Sequence, residues 1–522
     1  MNPSYNLLDE PWLPVRLPDG TVQAMGLLQA LRRSAEITAL AETSPPSLVA
    51  EYRLLLAIVH RALTASMGTW KDAQRANWYR QGLPVDALCA YLETWRERFW
   101  LFHDEHPFMQ VAVLATCKET ATLFPAPTLS LELFYGTEMF NQEVYSHKPW
   151  DPSAAVKALL GYFTFVPGGF FPGKKLKKSE KAGSLTNSAA ALPVGETLSK
   201  TLCLALHPAP LPSRTQEDLP AWERPALNLS NLRGAPVLAS GPNDRYTRQS
   251  RAVLLTHETD GLVRWLHFAA GWALGEDPQQ PDPMAYYRAG TKGLARVSFD
   301  EGRAFWRDLP ALVPAPQSDK LKGYQAAPTV DWAASLRRMM ADEHAHQPLL
   351  AAGLASDQAK LLRWRLEQFT LPPALLTDPE RARELHTQIA LAEESHKQLR
   401  NLAADLTAAT LPDPGSKDTR NRARALVDAG PLSTTFFAAA ERELWALMAL
   451  IAQDEAEAAD TLWHRSLADA ARQAWDRQLA MLGLSARVLQ AEARLGPRLH
   501  SLLRKLLPAA FASTTETTPQ GA

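Results

Sequence analysis

The sequence predicts an α+β protein: a large mixed α/β N-terminal domain followed by a C-terminal antiparallel four-helix bundle. Three observations predict it. The chain has 522 residues, too many for one ordinary domain. Its first part mixes strand and helix patterns with proline-rich loops, whereas after Pro372-Pro373 proline and glycine thin out and alanine, leucine and charge dominate. In that second part apolar positions recur at spacings of four and three, through Leu385, Ile389, Ala392, His396, Leu399, Ala403 and Leu406, and again through Phe437, Ala440, Leu444, Leu447 and Ile451. Such a recurrence is the seam of packed helices. The expected domains are 1–373 and 374–510, with 511–522 a polar, disordered tail.

Composition narrows the function classes. The chain is 46% hydrophobic and 21% charged, with a formal net charge of −1, so any nucleic-acid role must use local basic patches. Cys89, Cys117 and Cys203 lie far apart with no Cys-x-x-Cys, which argues against a zinc knuckle or a disulfide framework and fits a reducing cytoplasm. The first residues lack a signal-peptide pattern. No run of about 18 apolar residues is present, so no membrane partner is expected.

Taken in order, Asn6 to Val15 reads as an extended start, and Pro18-Asp19-Gly20 as a tight turn into a hairpin. A short helix begins at Gly26. Leu48 to Thr64 has buried helical spacing, and Val85 to Phe99 is a second amphipathic helix. His103-Asp104-Glu105-His106-Pro107 sets two histidines beside two carboxylates, but Pro107 excludes a His-Glu-x-x-His helix, so a structural turn is expected and no metal. Asp151-Pro152-Ser153 caps a helix through Phe163. Thr197 to Leu206 is a strand or short helix, and 327–340 a helix. Ser356 or Asp357 would cap a helix carrying Arg363 and Arg365. The final helices are expected near 378–410, 433–453, 456–482 and 485–507, with 412–424 a long basic connection and His396 a core histidine.

The stretch Phe165–Asn187 stands out. Gly168, Gly169 and Gly173 free the backbone between Pro167 and Pro172, and Lys174, Lys175, Lys177, Lys178 and Lys181 crowd after them. Glycine admits close approach of a ligand and clustered lysines attract phosphate, although a solvated surface loop has the same composition. Arg245, Arg248 and Arg251 lead into the apolar run from Ala252 and suit either phosphate contact or a charged strand edge. No Walker loop, Gly-x-Ser-x-Gly elbow or nuclease-like histidine–carboxylate cluster is present, so no catalytic residues and no cofactor are expected.

Several segments, in order, resemble the CasA family, the large subunit of the type I-E CRISPR surveillance complex Cascade: Leu7-Leu8-Asp9-Glu10-Pro11-Trp12-Leu13-Pro14-Val15, the Glu-His-Pro-Phe-Met-Gln core of His103–Gln110, Tyr246–Arg251, and the terminal helices. The resemblance implies a non-catalytic subunit that reads a short protospacer-adjacent motif (PAM) in the minor groove of target double-stranded DNA, wedges the duplex open and recruits a helicase–nuclease. Base pairing with the guide RNA reads the rest of the target. It further implies partners among the crRNA-containing backbone and small subunits. The PAM reader would be Pro167–Gly173 with its lysines, the basic contact Arg251 or Arg248, and the wedge Gln358 beside Lys360. A loop near 130–148, including Phe140 and Asn141, would touch the RNA handle and a backbone subunit. A helical scaffold without DNA reading, or an uncharacterised hydrolase, are the alternatives.

Overall fold

A computed structural model describes residues 3–131, 148–170, 176–177, 179–210, 217–256, 258–275, 281–290, 293–297, 303–313, 324–340, 346–357 and 360–512. The chain divides into two compact units, Met1–Glu301 with Gln317–Thr370, and Gly302–Pro316 with Leu371–Ala522. The sequence-based boundary after residue 373 therefore needs a correction, because the short segment from Gly302 belongs with the C-terminal helices. Trp306 explains why. It is fully buried, its ring 5.9 Å from that of Phe437 and 6.2 Å from that of Trp463. Arg303 and Arg307 flank it and share Glu393, at 3.0 and 2.8 Å.

In the first unit, the helix Pro45–Met67 is buried without a break from Pro46 to Leu63. A helix apolar on all sides belongs in a core, and its polar members need partners there. Arg53 pairs with Asp282 at 3.0 Å, Arg61 with Glu223 at 2.6 Å, and the His60 ring lies between Asn243 Nδ2 at 2.9 Å and the Pro208 carbonyl at 3.0 Å. The strands of this unit form small sheets of two or three strands each. The opening motif is structural: the Trp12 indole donates to the Leu7 carbonyl at 3.0 Å, and residues 7–11 turn rather than continue extended. Gly20, at φ +85°, closes the turn between Leu13–Arg16 and Val22–Met25.

The His103–Gln110 segment is also a fold element. His103 Nδ1 accepts the amides of Glu105 and His106, each at 3.0 Å, and the buried Gln110 accepts the Leu255 amide at 2.8 Å. Val85–Thr94 ends five residues before Phe99, in a 3-10 turn over Arg96–Arg98. Leu198–Ala205 resolves as a helix, capped where Thr197 accepts the Lys200 amide at 3.3 Å.

In the second unit the longer helices are Pro379–Thr410, Lys417–Ala429, Leu432–Glu441, Leu444–Ala452, Ala456–Leu482 and Ala486–Leu506. Two expectations change. The basic connection is itself helical from Lys417, started by Ser416, whose hydroxyl accepts the Thr419 amide at 3.1 Å. The stretch 433–453 breaks in two at Arg442 and Glu443. His396 sits on the seam, half-buried, 2.9 Å from the Ser433 hydroxyl and with its ring 4.6 Å from that of Phe437.

Burial, with the nearby Arg307 guanidinium second, pushes the His396 imidazolium down to about 4, from an ordinary 6.5. The neutral ring is the folded form, so this stability is complete above 6.5 and drains away as pH falls from there through about 4. Chemical unfolding at pH 7 and at pH 4 should show His396→Asn losing about 2 kcal/mol less than the parent chain over that interval. Equal losses would show that the ring does not carry this pH dependence.

Candidate nucleic-acid interface

The glycine–lysine stretch is a clamped hairpin. The helix Pro152–Phe165, capped by Asp151 accepting the Ala154 amide at 2.9 Å, delivers the chain to Pro167. Gly169–Phe170 then pairs antiparallel with Ser179–Glu180. Below that pairing the two arms are stitched together: the Gly183 amide donates to the Val166 carbonyl at 2.8 Å, and the Leu185 amide to the Thr164 carbonyl at 2.9 Å. The arms lie so close that a Cβ on Gly183 would stand 2.6 Å from the Thr164 oxygen, so glycine is required there. Gly169 differs, since a Cβ there would meet nothing within 4 Å. Its small side faces open space that another molecule can enter. Between the lysines, Leu176 packs on a buried cluster that includes Val111, Leu114 and Ala252, which pins the run to the body.

Arg251 holds this hairpin by its base. Its guanidinium is buried, at 2% exposure, and donates to the Pro167 carbonyl at 2.7 Å and the Lys181 carbonyl at 2.6 Å, one on each arm. A planar fork of donors suits two diverging carbonyls, which a lysine could not span. Arg251 is placed by the strand Arg251–Leu255, and Gly271 leaves room for it: a Cβ on Gly271 would stand 2.4 Å from the Arg251 nitrogen.

Two further hairpins rise from the same base. Tyr287–Gly290 pairs antiparallel with Gly293–Arg296, with Thr291 and Lys292 between them in sequence. The Arg296 guanidinium donates to the Ser184 carbonyl, just beyond the glycine–lysine arms. The second hairpin is Gln347–Asp357 with Lys360–Leu371, joined in one sheet to Ala189–Pro193. Trp364 on it meets the ring of Phe165 edge-on at 5.2 Å, immediately before the glycines.

This second hairpin corrects the helix expected from residue 356. Arg363, Arg365 and Glu367 alternate with Leu362, Trp364 and Leu366, a period of two that is a strand signal. Arg365 and Glu367 pair on one face. Gln358 falls between the two strands in sequence.

Of the residues singled out from sequence, Gly168, Gly169 and Lys177 are on the first hairpin or its arms. Arg248 and Arg251 are not exposed basic contacts, and both expectations need correction. Arg248 is 5% exposed and forks onto Asp244, at 2.9 and 2.6 Å, with its guanidinium 3.8 Å from the Trp272 ring centroid. Burial lowers its pKa from the ordinary arginine value, outweighing the Asp244 carboxylate, which raises it. Arg251 is spent on the hairpin base. Phe140, Asn141, Gly173, Lys174, Lys175, Lys178 and Gln358 lie outside the described residues, as do the Lys360 side chain and the 513–522 tail. Sequence reasoning missed the hairpin of Tyr287–Gly290 with Gly293–Arg296, the Arg296 tie and the Trp364 contact. Paired glycines around Thr291-Lys292 were the available signal.

Comparison with known proteins agrees with this architecture. Residues 6–479 match the family model described as CRISPR-associated protein Cse1. A curated relative, CRISPR-associated protein CasA/Cse1 of Thermus thermophilus, is 34% identical over 510 residues, covering 94% of this chain and 95% of the relative. The solved Thermus thermophilus CasA (Cse1) superposes with a TM-score of 0.82 at 32% identity, covering 96% of this chain and 99% of that one. A chain of a CRISPR RNA-guided surveillance complex shares the fold, at a TM-score of 0.73 and 23% identity over 95% of this chain and all of that one. With a family model spanning most of its length and a curated relative above 30% identity, this chain belongs to the CRISPR-associated Cse1 (CasA) family.

Proposed function

We propose that the protein is the large, non-catalytic subunit of an RNA-guided surveillance complex of the Cascade type, and that it reads the PAM of target double-stranded DNA. One observation supports this most directly: three hairpins spring from one base around Phe165, Arg251 and Ser184, and the lysine run, Lys292 and Gln358 fall between their strands in sequence. A glycine backbone can approach base edges, and the minor groove offers it a degenerate pattern of acceptors, which suits tolerance of several motifs. Gln358 serves as the wedge. Opening a base step costs about a few kcal/mol, and phosphate contacts from the lysine run offset it. The C-terminal helices act as a four-helix bundle against the small subunits and the displaced strand. The loop containing Phe140 and Asn141 meets the RNA handle and a backbone subunit. The assembled subunit recruits the helicase–nuclease, in the cytoplasm.

The test is target-duplex binding by the reconstituted complex with and without this subunit, across motif variants and salt concentrations. Motif-dependent binding that needs this chain and tightens at low salt is expected. Motif-independent binding would favour the helical scaffold reading instead. Gln358→Ala should reduce strand opening by about tenfold or more while RNA assembly stays normal. Normal target opening in that variant would remove the wedge assignment.

A further inference from the structure

The sheet that carries the Gln347–Leu371 hairpin runs in the order Lys360–Leu371, Gln347–Asp357, Ala189–Pro193. Pairing with Ala189–Pro193 covers Leu349 to Gly353 of the middle strand. Among the described residues Lys360–Leu371 is therefore an edge strand, held on its outer side by side chains and not by a further ladder. A two-stranded ribbon twists freely and is marginal alone, so whatever docks that edge also aims the hairpin.

Trp364 makes this docking contact. It alternates onto the same face as Leu366. Leu366 is 42% exposed, whereas Trp364 is half-buried and packs on the main core cluster of the unit. Its partner there is Phe165, which is fully buried and is met edge-on, at 5.2 Å and 87°. Phe165 ends its helix, and the residues on either side of it hold the second arm of the glycine–lysine hairpin: the Thr164 and Val166 carbonyls accept the Leu185 and Gly183 amides. One ring contact thus joins the edge strand to the root of the glycine–lysine hairpin. The Trp364 indole N–H is buried without an acceptor, so the contact is one of ring shape and not of hydrogen bonding.

Gln358 lies six residues from Trp364 in sequence, about 20 Å along an extended strand, so a tilt of about 5° at the ring is a displacement of about 2 Å at that distance.

We propose that Trp364 is a positioning residue, which by docking on Phe165 fixes the tilt of its hairpin against the glycine–lysine hairpin and so aligns strand opening with the base step beside the motif. This role depends on the hairpins reading DNA. It adds a residue that acts through the alignment of others and touches no DNA itself.

The experiment measures duplex opening and duplex binding by the reconstituted complex, on a target carrying 2-aminopurine beside the motif. Trp364→Leu keeps apolar bulk and removes the ring edge, and Trp364→Phe keeps a ring and removes the N–H. Trp364→Leu is expected to open the duplex at least about tenfold more slowly, as misplacement of a working group by an ångström or two does, with its motif preference in binding unchanged. Trp364→Phe should restore opening. A target already melted beside the motif should load equally well in Trp364→Leu and in the parent chain, which a folding defect would not allow. A parental opening rate in Trp364→Leu, or an equal deficit on the melted target, would overturn the positioning role and leave motif reading standing. Motif-independent opening by the parent chain would overturn both.

Discussion

Asp282→Asn is expected to destabilise the N-terminal unit by about 3–5 kcal/mol, the cost of stranding a buried charge. Arg53 has no exposed surface, and Asp282 is 2% exposed. The two meet at 3.0 and 3.4 Å, while the Tyr246 ring covers the guanidinium at 4.6 Å. With an amide at 282 the guanidinium keeps its charge and loses the counter-charge. The damage should spread in a defined direction. Asp282 also accepts the Met284 amide at 3.1 Å, and its own amide donates to the Tyr287 hydroxyl at 2.8 Å. The hairpin beginning at Tyr287 should therefore lose hydrogen-exchange protection first. Removing both partners, as Arg53→Met with Asp282→Leu, should recover most of the loss, since an apolar pair needs no compensation. A loss below about 1 kcal/mol in Asp282→Asn would show that water reaches this pair.

Arg251→Met should be nearly as costly, about 2–4 kcal/mol, because the Pro167, Lys181 and Ser250 carbonyls lose a buried donor together. It should also weaken target binding by at least about tenfold, by loosening the hairpin rather than by deleting a DNA contact. Salt dependence separates these two causes. A positioning role leaves the slope of log K against log salt unchanged, whereas loss of a phosphate contact lowers it by about 0.9. Arg251→Lys should rescue little, because an ammonium cannot fork between two carbonyls. A reduced slope with normal stability would return Arg251 to the DNA-contacting set.

These two residues also show where sequence reading stops. The terminal helices were legible almost to the residue, as 378–410 became Pro379–Thr410 and 456–482 became Ala456–Leu482. A long amphipathic period over-determines a helix. Arg248 and Arg251 looked like surface charge because burial is decided by partners distant in sequence. Lys181 is 70 residues from Arg251, and no local pattern announces it. The Gln347–Leu371 hairpin was misread for a different reason. Ser356-Asp357 imitates a helix cap, and that local cue outweighed the alternation of Arg363, Arg365 and Glu367. The helix from Lys417 was hidden by its charge, which on a lightly buried helix imitates a loop. Its capping serine was the better signal.

Both ends of the glycine–lysine segment are held by one guanidinium, and this makes the segment an exchangeable cassette. The segment is tied at its two ends, at Pro167 and Lys181, and once between them, where Leu176 packs on the body. Changing its length on either side of Leu176 then alters chiefly a closure entropy, about 0.6 kcal/mol for each doubling. The segment can accept insertion, deletion or replacement on either side of Leu176 without renegotiating the core, provided Arg251, the two carbonyls and Leu176 remain.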